Sequence, residues 1–169
     1  MKAKLIIEGK EIEVEISEEE YKKLQPSEEK KTGYERVPKS DIYFYVTPSG
    51  CVADTHEDCY DIDNECYESA NYYSSKTVAE NNARADNLMR QLRRFAVEHR
   101  KCGVDFNDTN TKKYYICYDY ENNELGATFT FVGRVFGIIY FDSEEAINTA
   151  IAEFRDELIW YFTEYKDSL

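Results

Sequence analysis

The stretch CVADTHEDCYDIDNEC, residues 51–66, combines three cysteines, one histidine and six carboxylates without a Lys or Arg. Zinc takes four nitrogen or sulfur ligands at tetrahedral corners, and three cysteines with one histidine are an accepted set. The stretch therefore contains a candidate zinc site, with Cys51, His56, Cys59 and Cys66 as ligands. The spacing lacks the paired C-x2-C of common zinc motifs, so idle or buried thiols are the alternative interpretation. Zinc is the one cofactor that the sequence suggests.

Calcium binding and cysteine catalysis are two other kinds of chemistry to consider. The Asp61-x-Asp63-x-Glu65 run places carboxylates at alternate positions, as a calcium loop does. Cys66 and Tyr72 occupy the places of the required glycine and glutamate, so an EF-hand is rejected. Cys102 follows the end of a predicted helix, whose negative dipole end disfavours the thiolate that a nucleophile needs. No complete catalytic motif occurs in the sequence, and we do not expect an enzyme.

The negative charge is unevenly distributed along the chain. The net charge is −13, and residues 40–75 contain eight acids and no Lys or Arg, whereas the predicted central helix is net basic. A protein of this charge is repelled as a whole by nucleic acid and by anionic membranes, so neither is expected as a direct partner. Acidic side chains on a folded surface can instead imitate a phosphate backbone and dock into a basic channel. A solvated face is the alternative for any single run.

The predicted partner-binding residues are acids of the 54–68 stretch and of the last predicted helix. They are Asp54, Glu57, Asp58, Asp61, Asp63, Glu65, Glu68, Glu153, Asp156 and Glu157. Attraction between opposite charges speeds association and is screened by salt, so binding through these residues should be salt-sensitive.

The N-terminal part of the chain predicts a small separate unit. Charged and apolar residues alternate over residues 3–16 on both sides of Gly9, which predicts a β-hairpin, and Ser17 predicts the cap of a short helix. Residues 26–40 contain two prolines and one glycine among polar residues, which predicts a linker. The predicted domains are 1–25 for the hairpin and helix, 26–40 for the linker, and 41–169 for the main domain.

The main domain is predicted to be α+β, with an antiparallel sheet packed against two long helices. Period-two and continuous apolar runs predict its strands at 41–46, 51–53, 113–119, 126–132 and 134–141. The last of these strands is nearly continuous in apolar residues and is therefore expected to be central. Capping boxes at Thr77-x-x-Glu80 and Asp142-x-x-Glu145 predict where the two helices begin.

The first 17 residues lack the uninterrupted apolar run of a signal peptide, and no segment is apolar enough to span a bilayer. We therefore expect a cytosolic protein. The five cysteines should then be reduced thiols rather than disulfides.

Four stretches together resemble small acidic phage and prophage proteins of Firmicutes-type bacteria: ESANYYSSKTVAE, LRRFAVEH, KKYYICYDYENNELG and VFGIIYFDSEEAINTAIAEFRDELIWYFTEY. The resemblance covers roughly residues 31–165 and does not include the cysteines at 51, 59 and 66. Phage genomes of this kind carry small anti-CRISPR proteins. The resemblance thus implies a DNA-mimicking inhibitor in the host cytoplasm, which binds a CRISPR effector such as Cas9 or its guide-RNA complex. It implies no catalytic residues.

Two alternatives belong to other classes of protein. A sponge for a small molecule or metal would sequester a defence signal in a pocket lined by tyrosines and by Arg84, Arg90, Arg93 and Arg94, because guanidinium groups suit phosphates. A phage replication accessory protein or structural protein is the other alternative.

Overall fold

The computed structural model describes residues 2–7, 10–15, 17 and 31–169. The chain divides into two compact units, Met1–Lys31 and Thr32–Leu169. In the first unit, strand β1 (Lys2–Ile7) pairs antiparallel with β2 (Lys10–Glu15), with Lys2 opposite Glu15. This pairing confirms the predicted hairpin, whereas the predicted short helix after Ser17 lies outside the described residues.

The second unit contains two further antiparallel hairpins and four helices, which confirms the α+β class. The strands are β3 (Ile42–Val46) paired with β4 (Val52–His56), and β5 (Lys113–Asp119) paired with β6 (Glu124–Thr130). The helices are α1 (Asp61–Glu68), α2 (Lys76–Glu98), α3 (Glu144–Glu153) and α4 (Arg155–Thr163). None of these described helices is both long and apolar enough to cross a membrane.

Helix α2 carries both described core clusters of the second unit. Near its start, Val78 and Ala79 pack with Tyr73 and against Phe44 of β3. Further along, its buried apolar residues pack with Phe141 and with the inward faces of α3 and α4; the cluster comprises Leu88, Leu92, Phe95, Phe141, Ala146, Ile147, Ala150 and Leu158. Burying each large apolar side chain contributes about 1.5–3 kcal/mol. Because both clusters include residues of α2, this helix connects the β3–β4 end of the unit to the β5–β6 end.

Both capped helices begin at a serine rather than at the predicted residue. The N–H of Val78 donates to the hydroxyl of Ser75 at 3.4 Å, so the cap of α2 lies two residues before Thr77. Ser143 accepts from the N–H of Ala146 at 3.3 Å and caps α3 in place of Asp142. Each serine has the extended backbone that a cap requires, which explains both shifts.

Two predicted elements of the C-terminal half differ in the structure. Residues 134–140 form a loop instead of a central strand; residues 134–137 are exposed, Phe136 fully, and residues 138–140 are half-buried. Only Phe141 makes an isolated bridge to Tyr114. Gly137 has φ +80°, in the left-handed region, which interrupts an extended strand. The predicted last helix is divided into α3 and α4 at Phe154, whose ring packs edge-on against Phe95 at 5.6 Å.

Residues 32–40, predicted as part of a linker, belong to the second unit instead. The ring of Tyr34 lies 5.2 Å from that of Tyr73, and the backbone N–H of Leu169 donates to the carbonyl oxygen of Thr32 at 3.1 Å. The polar composition that suggested a linker reflects hydrogen-bonded surface chain, since Glu35 accepts bonds from Thr32 and Gly33.

Candidate acidic interaction surface

Glu57 lies at the centre of a buried polar network rather than on the surface. It is 1% exposed, and its carboxylate accepts two bonds from the Arg36 guanidinium, at 2.9 and 3.0 Å. The Tyr72 hydroxyl and the Cys59 N–H donate to it as well, each at 2.9 Å. The Arg36 bonds are the main reason that the pKa of Glu57 falls to about 2. The network corrects the prediction that Glu57 contacts a partner.

Asp63 is the second predicted surface acid that is buried, at 2% exposed. It accepts from the hydroxyl of Tyr43 at 2.8 Å and from the N–H groups of Tyr60 and Asp58 at 3.0 and 3.1 Å. Burial alone would raise the pKa of Asp63, but these hydrogen bonds outweigh it and hold the pKa below its ordinary value. Since Tyr60 immediately precedes α1, Asp63 fastens the start of the helix and is also removed from the predicted partner-binding set.

The two buried acids are joined through stacked tyrosines. The rings of Tyr43 and Tyr72 lie 4.0 Å apart and nearly parallel, at 13°. Tyr43 donates to Asp63 and Tyr72 donates to Glu57, so each ring carries one hydroxyl into the network. Burial and its acidic partner raise the pKa of Tyr72 to about 12. The network therefore holds α1 against the β3–β4 hairpin in a defined position.

The other five acids of the 54–68 stretch carry charge towards solvent. Asp54 on β4 and three acids on α1 are exposed, and Asp58 between the two elements is half-buried. None of the five forms an ion pair with a Lys or Arg of the described residues. This set, which we call the acidic surface, comprises Asp54, Asp58, Asp61, Glu65 and Glu68.

Three members of the acidic surface form a row along one face of α1. Asp61, Glu65 and Glu68 are spaced four and three residues apart, which places them on the same side of an α-helix with about 5.4 Å per turn. Exposed apolar side chains accompany the row: Tyr60 is 67% exposed and Ile62 is 59% exposed. Exposed tyrosine is enriched at protein interfaces, and Tyr60 and Ile62 give the acidic row an apolar component.

The second predicted group of acids lies on α3 and α4. Glu153 and Asp156 are exposed, but Glu157 is held by Arg84 at 2.8 and 3.0 Å, a pair that lowers the pKa of Glu157. The guanidinium of Arg84 also lies 3.9 Å from the centre of the Trp160 ring. Glu157 therefore fastens α4 to α2 and does not offer a free charge.

The four predicted zinc ligands do not come together. Cys51 immediately precedes β4 and His56 is its last residue, which at about 3.3 Å per residue separates them by roughly 16 Å, whereas zinc lies about 2 Å from its ligand atoms. Among all described residues, no group of three or more His, Cys, Asp or Glu is arranged to hold a metal ion. Cys59 and Cys66, like the other three cysteines, are free thiols. The structure thus contradicts the zinc prediction.

The four arginines of the predicted small-molecule pocket also have separate roles. Arg84 is paired with Glu157, Arg94 lies 4.0 Å from Glu98, and Arg90 lines a cavity beside β3. Arg93 lines a different cleft, where the structure adds two arginines that the prediction missed, Arg100 and Arg134. Arg93 lies in α2 and Arg100 lies just beyond its end, so only their closeness in sequence could have indicated that they line the same cleft. Arg134 had no such indication, because its segment resembled a strand.

Comparison with known proteins does not assign the chain to a family. No protein-family model, no curated protein and no solved structure matches it.

Proposed function

We propose that this protein is a phage-encoded anti-defence protein that acts in the host cytoplasm. It binds a CRISPR effector of the Cas9 type stoichiometrically and blocks nucleic-acid loading. The observation that supports this proposal is a row of exposed carboxylates on α1 without an ion-pair partner in the described part of the chain: Asp61, Glu65 and Glu68. The type of target is taken from the resemblance to phage proteins.

Unpaired carboxylates remain available for a basic partner. A channel that holds guide RNA or target DNA is lined by cations, and neutralising them with protein carboxylates would exclude the phosphate backbone. Individual exposed ion pairs contribute only about 0–1 kcal/mol, so charge alone makes a weak interface. The exposed Tyr60, Ile62 and Tyr67 beside the row supply the apolar area that a specific interface also needs.

The acidic surface is also held in place before any partner arrives. Asp63 fastens the first turn of α1 to its own N-terminal backbone, and Glu57 bonds the N–H of Cys59 just before the helix. A surface that is already ordered loses less conformational entropy on binding, which strengthens association for a given contact area.

The test is a binding measurement with purified Cas9–guide RNA at about 50 mM and about 500 mM salt, with and without target DNA. We expect tight, salt-sensitive binding that prevents target loading. The triple variant D61N/E65Q/E68Q should bind at least about 10-fold more weakly, the sum of three exposed charge interactions.

The matched control is E121Q/E124Q/E164Q, which removes the same charge from exposed acids outside the acidic surface. It should bind like the unmodified protein. Absence of binding at low salt would overturn the proposal, and so would an equal loss in both triple variants, since that would indicate an effect of net charge alone.

A further inference from the structure

A cleft of about 400 Å³ lies between the C-terminal half of α2 and two loops of the second unit. Phe106 lines it from the loop that follows α2, and Arg134 and Tyr140 line it from the loop before α3. Cavities of roughly 300–1,000 Å³ are the size that small-molecule ligands occupy. The cleft shares no residue with the acidic surface.

Three guanidinium groups converge on this cleft. Arg93 lies near the C-terminal end of α2, Arg100 follows that end beyond the cap residue His99, and Arg134 lies on the facing loop. All three are exposed, and none forms an ion pair with a carboxylate of the described residues. In a protein with a net charge of −13, three arginines around one cavity, without ion-pair partners in the part of the chain that the structure describes, give a local concentration of positive charge that favours an anion.

Two negatively charged features also face the cleft, but their combined charge is smaller than that of the three arginines. The carboxylate of Asp142 lines it, but one oxygen accepts the N–H groups of Lys101, Cys102 and Gly103 at 2.7, 2.8 and 3.0 Å. The other oxygen is buried without a hydrogen-bond partner. The C-terminal end of α2 adds about half a negative charge. Three guanidinium charges exceed the sum of these two, so the cleft remains positive.

Aromatic rings form the wall beside the arginines. The guanidinium of Arg134 lies 5.3 Å from the centre of the Phe106 ring, and the Phe106 and Tyr140 rings meet edge to face at 5.0 Å. Both rings are half-buried, so a heterocyclic base can pack against the exposed part of either ring, next to cations that bind phosphate.

A buried cation lies behind this wall. Lys113 is 1% exposed, and its ammonium group is 5.9 Å from the centre of the Phe106 ring. It donates to the carbonyl oxygens of Thr111 and Phe131, each at 2.8 Å, and to that of Asp108, so its three donors are all taken by neutral groups. No carboxylate of the described residues forms an ion pair with it, and its charge adds to the positive potential of the cleft.

We propose that this cleft binds a nucleotide, with the phosphate held by Arg93, Arg100 and Arg134 and the base packed against Phe106 and Tyr140. Arginine binds phosphate through two parallel hydrogen bonds, and base–aromatic stacking tolerates different bases. The site therefore selects for a phosphate joined to an aromatic base rather than for one particular base. This inference goes beyond the proposed binding of a defence effector.

The test is isothermal titration calorimetry of the full chain at about 50 mM salt with three probes: AMP, adenosine and inorganic phosphate. AMP should bind, and adenosine and phosphate should each bind at least about 10-fold more weakly, because each contacts only half of the site. The R93A/R134A variant should weaken AMP binding at least about 10-fold. The matched control R94A changes an exposed arginine of the same helix that lies outside the cleft and should bind AMP normally.

A second variant separates the two halves of the site. F106L keeps the arginines and should weaken AMP binding while leaving phosphate binding unchanged. Circular dichroism and urea unfolding of each variant show whether it is folded. If R93A/R134A is unfolded, R134K is measured in its place, and it too should bind AMP more weakly.

Several outcomes would overturn the proposal. They are no binding of AMP up to about 5 mM, equal AMP binding by the arginine variant and by R94A, phosphate binding as tight as that of AMP, or binding of a single-stranded RNA oligonucleotide without binding of AMP. The D61N/E65Q/E68Q variant should bind AMP normally. Failure of the nucleotide site is therefore distinguishable from failure of the effector-binding proposal.

Discussion

Among the acids of the 54–68 stretch, Glu57 and Asp63 have buried carboxylates that are hydrogen-bonded within the protein, whereas the other five are exposed or half-buried. The difference comes from hydrogen-bond donors that fold over the buried pair: Arg36 for Glu57 and Tyr43 for Asp63. Substitutions at these two positions should therefore change stability, and substitutions at the exposed acids should change binding.

Replacing Glu57 with glutamine should destabilise the protein by about 2 kcal/mol, because the bidentate bond to Arg36 is lost in a buried site. Arg36 is 35% exposed, so water screens the charge that remains on it. The loss of stability is therefore smaller than the value of about 3–5 kcal/mol expected when a fully buried ion pair is broken. Urea unfolding measures the change. The control is E65Q, at an exposed acid without an ion-pair partner among the described residues, which should lie within about 0.5 kcal/mol of the unmodified protein. Equal stability of both variants would contradict the structural role of Glu57.

Acid should destabilise the fold through the same groups. The pKa of Glu57 is about 2 in the folded protein against an ordinary value of 4.5, and the pKa of Asp63 is lowered too. A carboxyl whose folded pKa is depressed contributes its full stability above the unfolded pKa, and this contribution is lost as the pH falls towards the folded pKa. The urea midpoint should therefore fall between about pH 4.5 and about pH 2, and less steeply in E57Q. A midpoint that does not change over this range would contradict the prediction.

At the scale of elements, short polar contacts decide where each helix begins and how α1 is oriented. Ser75, Ser143 and Asp63 each bond backbone N–H groups at or near a helix start. The sequences at Thr77 and Asp142 both fit the capping-box pattern. In the structure, however, the carboxylate of Asp142 accepts hydrogen bonds from the loop after α2. The capping patterns therefore indicated the regions of α2 and α3 but misplaced their first residues, and the sequence patterns did not predict α1 or the division between α3 and α4.

Replacing Ser75 with alanine should destabilise the protein by about 1 kcal/mol, since the N–H of Val78 loses its acceptor. Thr77 lies inside the first turn and is exposed, so T77A should change stability by less than about 0.5 kcal/mol. Thermal and urea unfolding of the two variants compare the caps directly. A larger effect at Thr77 than at Ser75 would show that the helix begins where the sequence pattern alone places it.

At the scale of the whole molecule, the second unit contains the complete described core. Both clusters lie between Tyr34 and Phe162, and Leu169 bonds the backbone of Thr32, so the two ends of the unit are joined. The acidic surface and the arginine-lined cleft both belong to this unit. In the described part of a protein with a net charge of −13, the exposed acidic row of α1 and the arginine-lined cleft are thus formed by different residues.

A chain lacking residues 1–30 should fold, and its second unit should unfold at the same urea midpoint as the second unit of the full chain. The reason is that the described core clusters contain only residues of Thr32–Leu169. The control lacks residues 1–36 and so loses Thr32 and Arg36, which bond Leu169 and Glu57. It should be clearly less stable. An unfolded 31–169 chain, seen by circular dichroism, would contradict the prediction.

Local patterns were sufficient to predict the α+β class, the N-terminal hairpin and the long helix α2, because these patterns depend on residues a few positions apart. Tertiary structure decided the features that depend on distant contacts. Arg36 buries Glu57 across 21 positions, and the N–H groups of Lys101 and Cys102 engage Asp142 across about 40. The exposed acids of α1 and the three arginines of the cleft were visible as residues in the sequence. Their exposure and convergence required the folded chain, since burial and approach are properties of packing rather than of spacing.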